Sequence, residues 1–466
     1  MPADEELTYP GLPVRVAEVL GTLMGAGHEV ALVGGSVRDR VRGEGGTHGD
    51  WDAATSALPE EVAALFPGAS WENRFGTVTL GGDPEVQVTS YRTEAGYRDR
   101  RRPDEVRFGA SLVDDLARRD FTINAIAWLP VDLDAGMGHV VDPFGGRADL
   151  EAGLLRTVGD PTERFEEDAL RLVRAARFAA RFSMTIDPAT DAAIRHLAPT
   201  VAGVSGERVR DELMRMLAAR EGPSAAIRLL ESLGLLEVLL PELVALRGVP
   251  QSKRVPGDAL DHSLAALDAA PPTEPRPLVR IAALFHDLGK ATTGSGGHFI
   301  GHEVVGAELA DGILARLRVP GADADRITHA IQHHMYAYDG TWTDAAVRRF
   351  IRRLEPIGTE ILFALRRADN AASGVGPAGE ANQAELERRI AVELDGHPDL
   401  LRRSRLAIDG HAIQRELGLE PGPRVGRILD RLMELVLDDP GHNRRDVLVD
   451  LARRIDAGDD PEEVDG

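Results

Sequence analysis

"LVGGSVRDRVRGEGGTHGDWDAAT", residues 32–55, is the stretch on which the fold turns. An apolar, β-rich run, HEVALV at 28–33, stops at Gly34-Gly35. Two glycines after a strand let the backbone approach a ligand closely and turn its amides outward. SVRDRVR then suits a helix whose N-terminus would face an anion, with Arg38 in its first turn and Asp39 placed to hold it. Trp51-Asp52-Ala53 reads as a strand, and alternation puts Asp50 and Asp52 on one face with Trp51 opposite. Two carboxylates side by side repel unless a cation lies between them. Mg²⁺ suits them, since it takes carboxylate oxygens together with substrate phosphate, the arrangement of two-metal phosphoryl chemistry. Taken singly, a Gly-Gly turn is usually only a turn and Asp-x-Asp a solvated strand end; it is their conjunction that points to a site.

The 466 residues favour several domains, and 43% hydrophobic residues suffice for sizeable cores. There is no Cys, which excludes disulfides, zinc-thiolate sites and a Cys nucleophile. The N-terminus, MPADEELTYP, lacks the apolar run of a signal peptide, and no stretch approaches a membrane span. A cytoplasmic protein without a membrane partner is expected. The net charge of −22 argues against a polyanionic partner. Its distribution argues back. Only Lys253 and Lys290 are lysines, so 52 of the 54 basic residues are Arg, whose planar fork suits phosphate. Residues 156–215 balance ten Arg against ten acids, whereas the last eleven residues hold six acids and no base.

Residues 14–26 read as an amphipathic helix, TVTL (77–80) and VQVTSY (86–91) as half-buried strands, and 93–106 as a mobile loop. Beyond about residue 150, helical periodicity dominates: 162–182, 206–219, 224–237, 276–290, 302–317, 343–354 and 380–394. A strand-rich head before a long helical body suggests separate domains.

GGSVRD followed by DWDAAT resembles the signature of class II tRNA nucleotidyltransferases and bacterial poly(A) polymerases, of the polymerase-β-like superfamily. The resemblance continues in order through RRDFTINA (118–125), DPFGGRADLEAGLLRTVGDP (142–161), EEDALRLVRAARF (166–178) and ERVRDEL (207–213). It implies an α+β fold: a nucleotidyltransferase head with a mixed β-sheet, then an all-α neck and body and an all-α HD domain. The divisions it suggests are 1–140 (head), 141–245 (neck and body), 255–375 (HD), 376–455 (helical tail binding RNA) and 456–466 (acidic tail). It implies attack of an RNA 3′-OH on the α-phosphate of CTP or ATP, with tRNA as partner. Asp50 and Asp52 would hold Mg²⁺, Gly34, Gly35 and Arg38 would meet phosphates, and Arg119, Asp120 and Asn124 would orient the nucleotide. Addition of CCA, addition of the terminal A, and poly(A) synthesis share this chemistry. ENRFGTVTL (72–80) is closer to the CCA-adding type, and the loop 92–108 disfavours a CC-only enzyme. The sequence departs from the family in two places. The spacer GEGGTHG is long, and Gln87 stands where a Glu is common. A neutral amide is a poor Mg²⁺ ligand, and Glu85, two residues earlier, is expected to compensate in part.

On a continuous helix 162–182, Asp168 and Arg171 would share a face. Asp accepts hydrogen bonds and Arg donates them, so the pair matches the edges of cytosine and adenine. Guanine and uracil put a carbonyl where Asp needs a donor. The resemblance implies that this pair is the template; Arg174, Arg177 and Arg181 continue along the helix toward phosphates or RNA.

LFHDLGK (284–290) places His286 and Asp287 side by side in a helix, with His262, His302, His333-His334 and Asp369 on others. Such a set can bridge one or two cations. It resembles the HD-domain metal phosphohydrolases, which implies His262, His286, Asp287 and Asp369 as ligands. His302 and His333, or its neighbour His334, would hold a second metal. Mn²⁺, Ni²⁺, Fe²⁺ or Mg²⁺ would serve. The alternatives are a poly(A) polymerase, or an HD phosphohydrolase whose head only binds RNA.

Overall fold

The computed structural model describes residues 6–43, 51–72, 76–95, 105–251, 256–272, 276–294, 298–354, 360–397 and 406–459. Asp50 with the spacer before it, the loop 96–104 and the acidic end from 460 lie outside these residues. The chain divides into two compact units, Met1–Ala219 with Ala225–Pro241, and Arg220–Ser224 with Glu242–Gly466.

The first unit is built on an eight-stranded mixed sheet in the order β1-β10-β9-β2-β3-β6-β5-β4. Its strands are β1 (Glu6–Thr8), β2 (Val30–Val33), β3 (Trp51–Thr55), β4 (Ser70–Glu72), β5 (Thr77–Leu80), β6 (Val86–Ser90), β9 (Ala127–Asp132) and β10 (Met137–Val141). The segment read as a mobile loop begins and ends as a hairpin, β7 (Arg92–Ala95) against β8 (Glu105–Phe108). Helix α1 (Val14–Gly25) buries Val16, Val19, Leu20 and Leu23, the spacing of one helical face. All four residues of β2 are buried, because the sheet is covered on both faces. The Trp128 indole N–H donates to the Leu7 carbonyl at 2.8 Å, and Tyr9 meets the Trp128 ring edge-on, fastening the outermost strand. β3 pairs antiparallel with β2 (Val33 opposite Asp52) and parallel with β6 (Asp52 opposite Gln87). The ends of three strands thus converge where helix α2 (Gly35–Val41) begins.

The region anticipated as one helix over 162–182 is two, Pro161–Glu167 and Leu170–Phe182. The break falls at Asp168, whose extended backbone (φ −151°, ψ 104°) interrupts the helical ladder. The helix Gly206–Leu217 packs against the second of these and buries Glu212.

The second unit is helical. Ala259–Ala269, Leu278–Phe285, His302–Arg316, Gly321–His333 and Glu360–Ala372 pack together. The helix expected over 276–290 ends at Phe285, so His286 and Asp287 lie in the turn that follows it. Three C-terminal helices, Gly410–Leu417, Pro423–Asp438 and Arg445–Ala457, enclose a core of their own. Buried Arg348 ties them to the rest of the unit by donating to the Leu437 carbonyl (2.6 Å), the Asp438 carbonyl (2.9 Å) and Glu393 (3.1 Å). No helix among the described residues is long and apolar enough to cross a membrane.

Gly289 shows how closely this unit is packed. A Cβ there would lie 2.2 Å from the His302 carbonyl oxygen and 2.8 Å from the Gly306 amide, both backbone atoms. Gly289→Ala is therefore expected to lower the stability of this unit by about 1–3 kcal/mol and to displace His302. Thermal unfolding with and without added metal measures both effects.

Candidate functional site

The first site starts at Gly34. Its φ of +75° is a conformation that L side chains resist, and a Cβ there would come within 3.3 Å of Arg119 Nη1 and 3.4 Å of Asp52 Oδ2. Glycine brings the strand end, the acid and the base together. Gln87 is half-buried in register with Asp52, whereas Glu85 is exposed just before β6 begins. Arg119 makes only long bonds, at 3.4 Å, to Asp115 Oδ2 and the Asn124 carbonyl, and its buried Nε has no partner among the described residues.

Around this turn runs a buried polar chain. Arg38 donates to Asp39 through Nε (2.8 Å) and to Asn124 Oδ1 through Nη1 (2.6 Å). Asn124 Nδ2 donates to Asp120 Oδ1 (2.9 Å), and Arg174 Nε donates to Asp120 Oδ2 (2.8 Å). Arg174 also lies 3.5 Å from Glu212, to which Arg177 donates at 2.5 Å. Burial works to raise the Asp120 carboxyl; the Arg174 guanidinium and the Asn124 hydrogen bond outweigh it and bring it down to about 2. Arg38, 4% exposed, donates to Asp39 and Asn124 and sits against the Phe178 and Phe182 rings on the wall of the cleft. Arg174 and Arg177 are likewise committed to carboxylates. Arg181 remains half-exposed on the Phe182 ring.

Asp168 and Arg171 do not share a helical face as expected, because the helix breaks between them. Arg171 pairs with Glu167 and donates to the Arg164 carbonyl at 2.8 Å. Asp168 is gripped by Arg208, from Nη1 to Oδ1 at 3.0 Å and from Nη2 to Oδ2 at 2.6 Å. Both template candidates line the same cleft as Gly34, Gly35 and Asp52. Its volume is about 690 Å³, and its described walls carry ten arginines and four aspartates. The excess of guanidinium suits a polyphosphate.

In the second unit Asp287 is the centre. Its Oδ2 lies 3.3 Å from His286 Nε2 and 3.6 Å from His262 Nε2; its Oδ1 lies 3.3 Å from His302 Nε2 and 4.0 Å from His334 Nε2. Asp369 Oδ1 lies 3.0 Å from His262 Nε2 and 3.9 Å from His286 Nε2. His262, His286 and Asp369 form one candidate metal triad, and His286, Asp287 and His334 another. The buried Nε2 atoms of His286 and His302 have no hydrogen-bond partner among the described residues, which fits a donor set awaiting a cation. Burial and the neighbouring His286 push His334 down to about 3, the neutral state a metal requires. Burial would raise the Asp287 carboxyl, but His286, His302 and Lys290 hold it well below the ordinary range. The expectation for His333 is corrected: its ring packs on His329, and it is His334 that faces the cluster.

Three family models match the chain in order. Residues 30–156 match the Poly A polymerase head domain, 183–246 the probable RNA and SrmB-binding site of polymerase A, and 260–395 the HD domain. The A-adding tRNA nucleotidyltransferase of Deinococcus radiodurans is 37% identical over 433 residues, 87% of this chain and 90% of that protein. The CCA-adding enzyme of Limosilactobacillus reuteri is 33% identical over 94% of this chain and 95% of its own length. A crystal structure of the Bacillus stearothermophilus CCA-adding enzyme in complex with CTP superposes with a TM-score of 0.69 at 27% identity, covering 95% of this chain and 97% of that one. The fold and the cleft define a nucleotidyltransferase head joined to a helical HD body. The chain belongs to the family of tRNA nucleotidyltransferases and bacterial poly(A) polymerases.

Several residues of these sites were not singled out from the sequence. Arg208 and Glu212 lie in ERVRDEL, whose resemblance was visible but whose partners were not. Lys290, which donates to Asp287 Oδ2 (2.5 Å) and to Gln251 (3.0 Å), was legible only as part of LFHDLGK.

Asp120 gives a pH test. Its folded value of about 2 lies below the ordinary 3.8, so its contribution is complete above 3.8 and is lost as pH falls toward 2. Asp120→Asn, which strands Arg174, is expected to cost about 3 kcal/mol at pH 7. The gap from wild type should narrow below pH 3.8. Chemical denaturation across pH measures this.

Proposed function

We propose that the first unit transfers CMP or AMP from CTP or ATP to the 3′ end of tRNA, completing CCA or adding its terminal A, with release of pyrophosphate. The observation that carries this is one arginine-lined cleft holding the glycine turn, Asp52, and the Asp168 and Arg171 pair. Asp50 and Asp52 would hold Mg²⁺, which supplies Lewis-acid stabilisation of the transferring phosphate. Arg119, whose Nη1 approaches Gly34 and whose buried Nε has no partner among the described residues, is a donor well placed for the triphosphate. Asp168 accepts from the amino group of cytosine or adenine, and Arg171 donates to the ring acceptors. The buried chain from Arg38 to Glu212 keeps the cradle and the template in fixed relation. The full-length likeness to A-adding and CCA-adding enzymes supports a cytoplasmic tRNA enzyme.

The second unit would carry a separate metal-dependent phosphohydrolase or phosphodiesterase. His262, His286, Asp287 and Asp369 would hold one divalent cation, such as Mn²⁺, Ni²⁺, Fe²⁺ or Mg²⁺, with His302 and His334 serving a second. The Asp287 carboxylate presents one oxygen to each set.

Purified protein with Mg²⁺, given tRNA ending before CC or after CC or a generic RNA, tests the transfer. CTP incorporation on the first substrate identifies CCA addition. ATP incorporation only after CC identifies terminal-A addition, and long A tails on any RNA identify a poly(A) polymerase. Asp52→Asn is expected to reduce incorporation at least about a hundredfold; retained activity refutes the assignment. Asp287→Asn should abolish metal-dependent phosphate release from nucleotide esters and lower bound metal measured by elemental analysis, while leaving incorporation within about twofold of wild type.

A further inference from the structure

We propose that Arg208 is a specificity-determining positioning residue, which fixes Asp168 so that a single acceptor position faces the incoming base. The inference rests on the template role given to Asp168 above and goes beyond it.

Asp168 lies in the break between two helices, so helical geometry does not set its side-chain direction. Two restraints set it instead. The Leu170 amide donates to Oδ1 at 3.1 Å, as an N-cap bond would. The Arg208 fork, from the first turn of Gly206–Leu217, takes both oxygens. A carboxylate has about four acceptor positions. Oδ1 is filled by Leu170 and Arg208 Nη1, and Oδ2 is half-filled by Arg208 Nη2. One acceptor position is left, and a fork engaging both oxygens prevents the carboxylate from rotating to offer another. Arg208 and Asp168 both line the cleft, with side chains 24% and 16% exposed, so an entering base meets them already paired.

The consequence is chemical. The N4 amino group of cytosine or the N6 amino group of adenine can donate into the remaining position. The O4 of uracil or the O6 of guanine places acceptor against acceptor. A fixed carboxylate makes that mismatch costly, because it can neither turn away nor let in a bridging water. A carboxylate released from the fork can do both. Rejection of the wrong base therefore depends on Arg208 even though it need not touch the base. Lysine cannot replace it, since an ammonium cannot engage both oxygens in one plane.

Single-nucleotide addition to tRNA ends, with ATP, CTP, UTP and GTP supplied separately, tests this in the full chain. Arg208→Ala is expected to lower the ratio of kcat/KM for ATP or CTP over that for UTP or GTP at least about tenfold. Arg208→Lys should not restore the ratio. An equal loss with all four nucleotides would show a merely structural role and overturn the proposal. So would a wild-type ratio in Arg208→Lys, which would make charge alone sufficient. Thermal unfolding checks that each variant is folded; if Arg208→Ala is not, Arg208→Lys and Arg208→Gln carry the comparison, and an unchanged ratio in either overturns it. Failure of the wild type to add any nucleotide would remove the template reading itself, an outcome distinct from normal addition with unchanged discrimination in the variants.

Discussion

The pairing of buried Asp120 with half-buried Arg174 is the contact on which the first unit depends. Asp120 comes from the segment before β9 and Arg174 from the helix Leu170–Phe182, so the pair joins sheet to neck. Charges removed from water are costly unless every partner is present. Here the partners are present in series: Asn124 and Arg38 on one side, Glu212 and Arg177 on the other. Loss of any member would leave a neighbour buried and unmatched. Such a chain contributes less to stability than apolar packing of the same volume would, but it tolerates one arrangement only. In a site that must hold a triphosphate and read a base at once, a single arrangement is what function requires.

The same chain resolves the conflict between a net charge of −22 and a polyanionic substrate. Charge acts locally, since screening confines it to about 8–10 Å at ordinary salt. Within the cleft ten arginines face four aspartates. Several of those arginines are paired with carboxylates in the cleft wall, while the side chains of Arg181 and Arg215 are more than half exposed. Arginine serves both purposes because it keeps its charge when buried and donates in fixed directions.

The head was legible because its signals are local. A strand, two glycines, a short helix and an acidic strand occupy one stretch, and the structure places Gly34, Asp52 and Arg119 together. What misled was continuity. Apolar spacing ran unbroken over 162–182 and 276–290, yet both helices break, at Asp168 and after Phe285. Both breaks fall where a carboxylate must leave the helical face to meet partners from other helices. Periodicity reports burial and is blind to such tertiary demands. Choosing between His333 and His334 failed for a related reason: adjacent residues on a helix point about 100° apart, and only the packing of neighbouring helices decides which faces inward. Arg208 escaped notice because an Arg in an amphipathic helix is ordinary until its partner is known.

The two units solve a common problem in opposite ways. In the first, protein donors take three of the acceptor positions of Asp168. In the second, Asp287 divides its oxygens between two sets of histidines, and two of those, His286 and His302, keep buried ring nitrogens without hydrogen-bond partners among the described residues. A carboxylate with one acceptor position left open suits a single hydrogen-bond donor. A carboxylate surrounded by imidazoles can share a cation with them. The residue type is the same, and its neighbours decide which chemistry it performs.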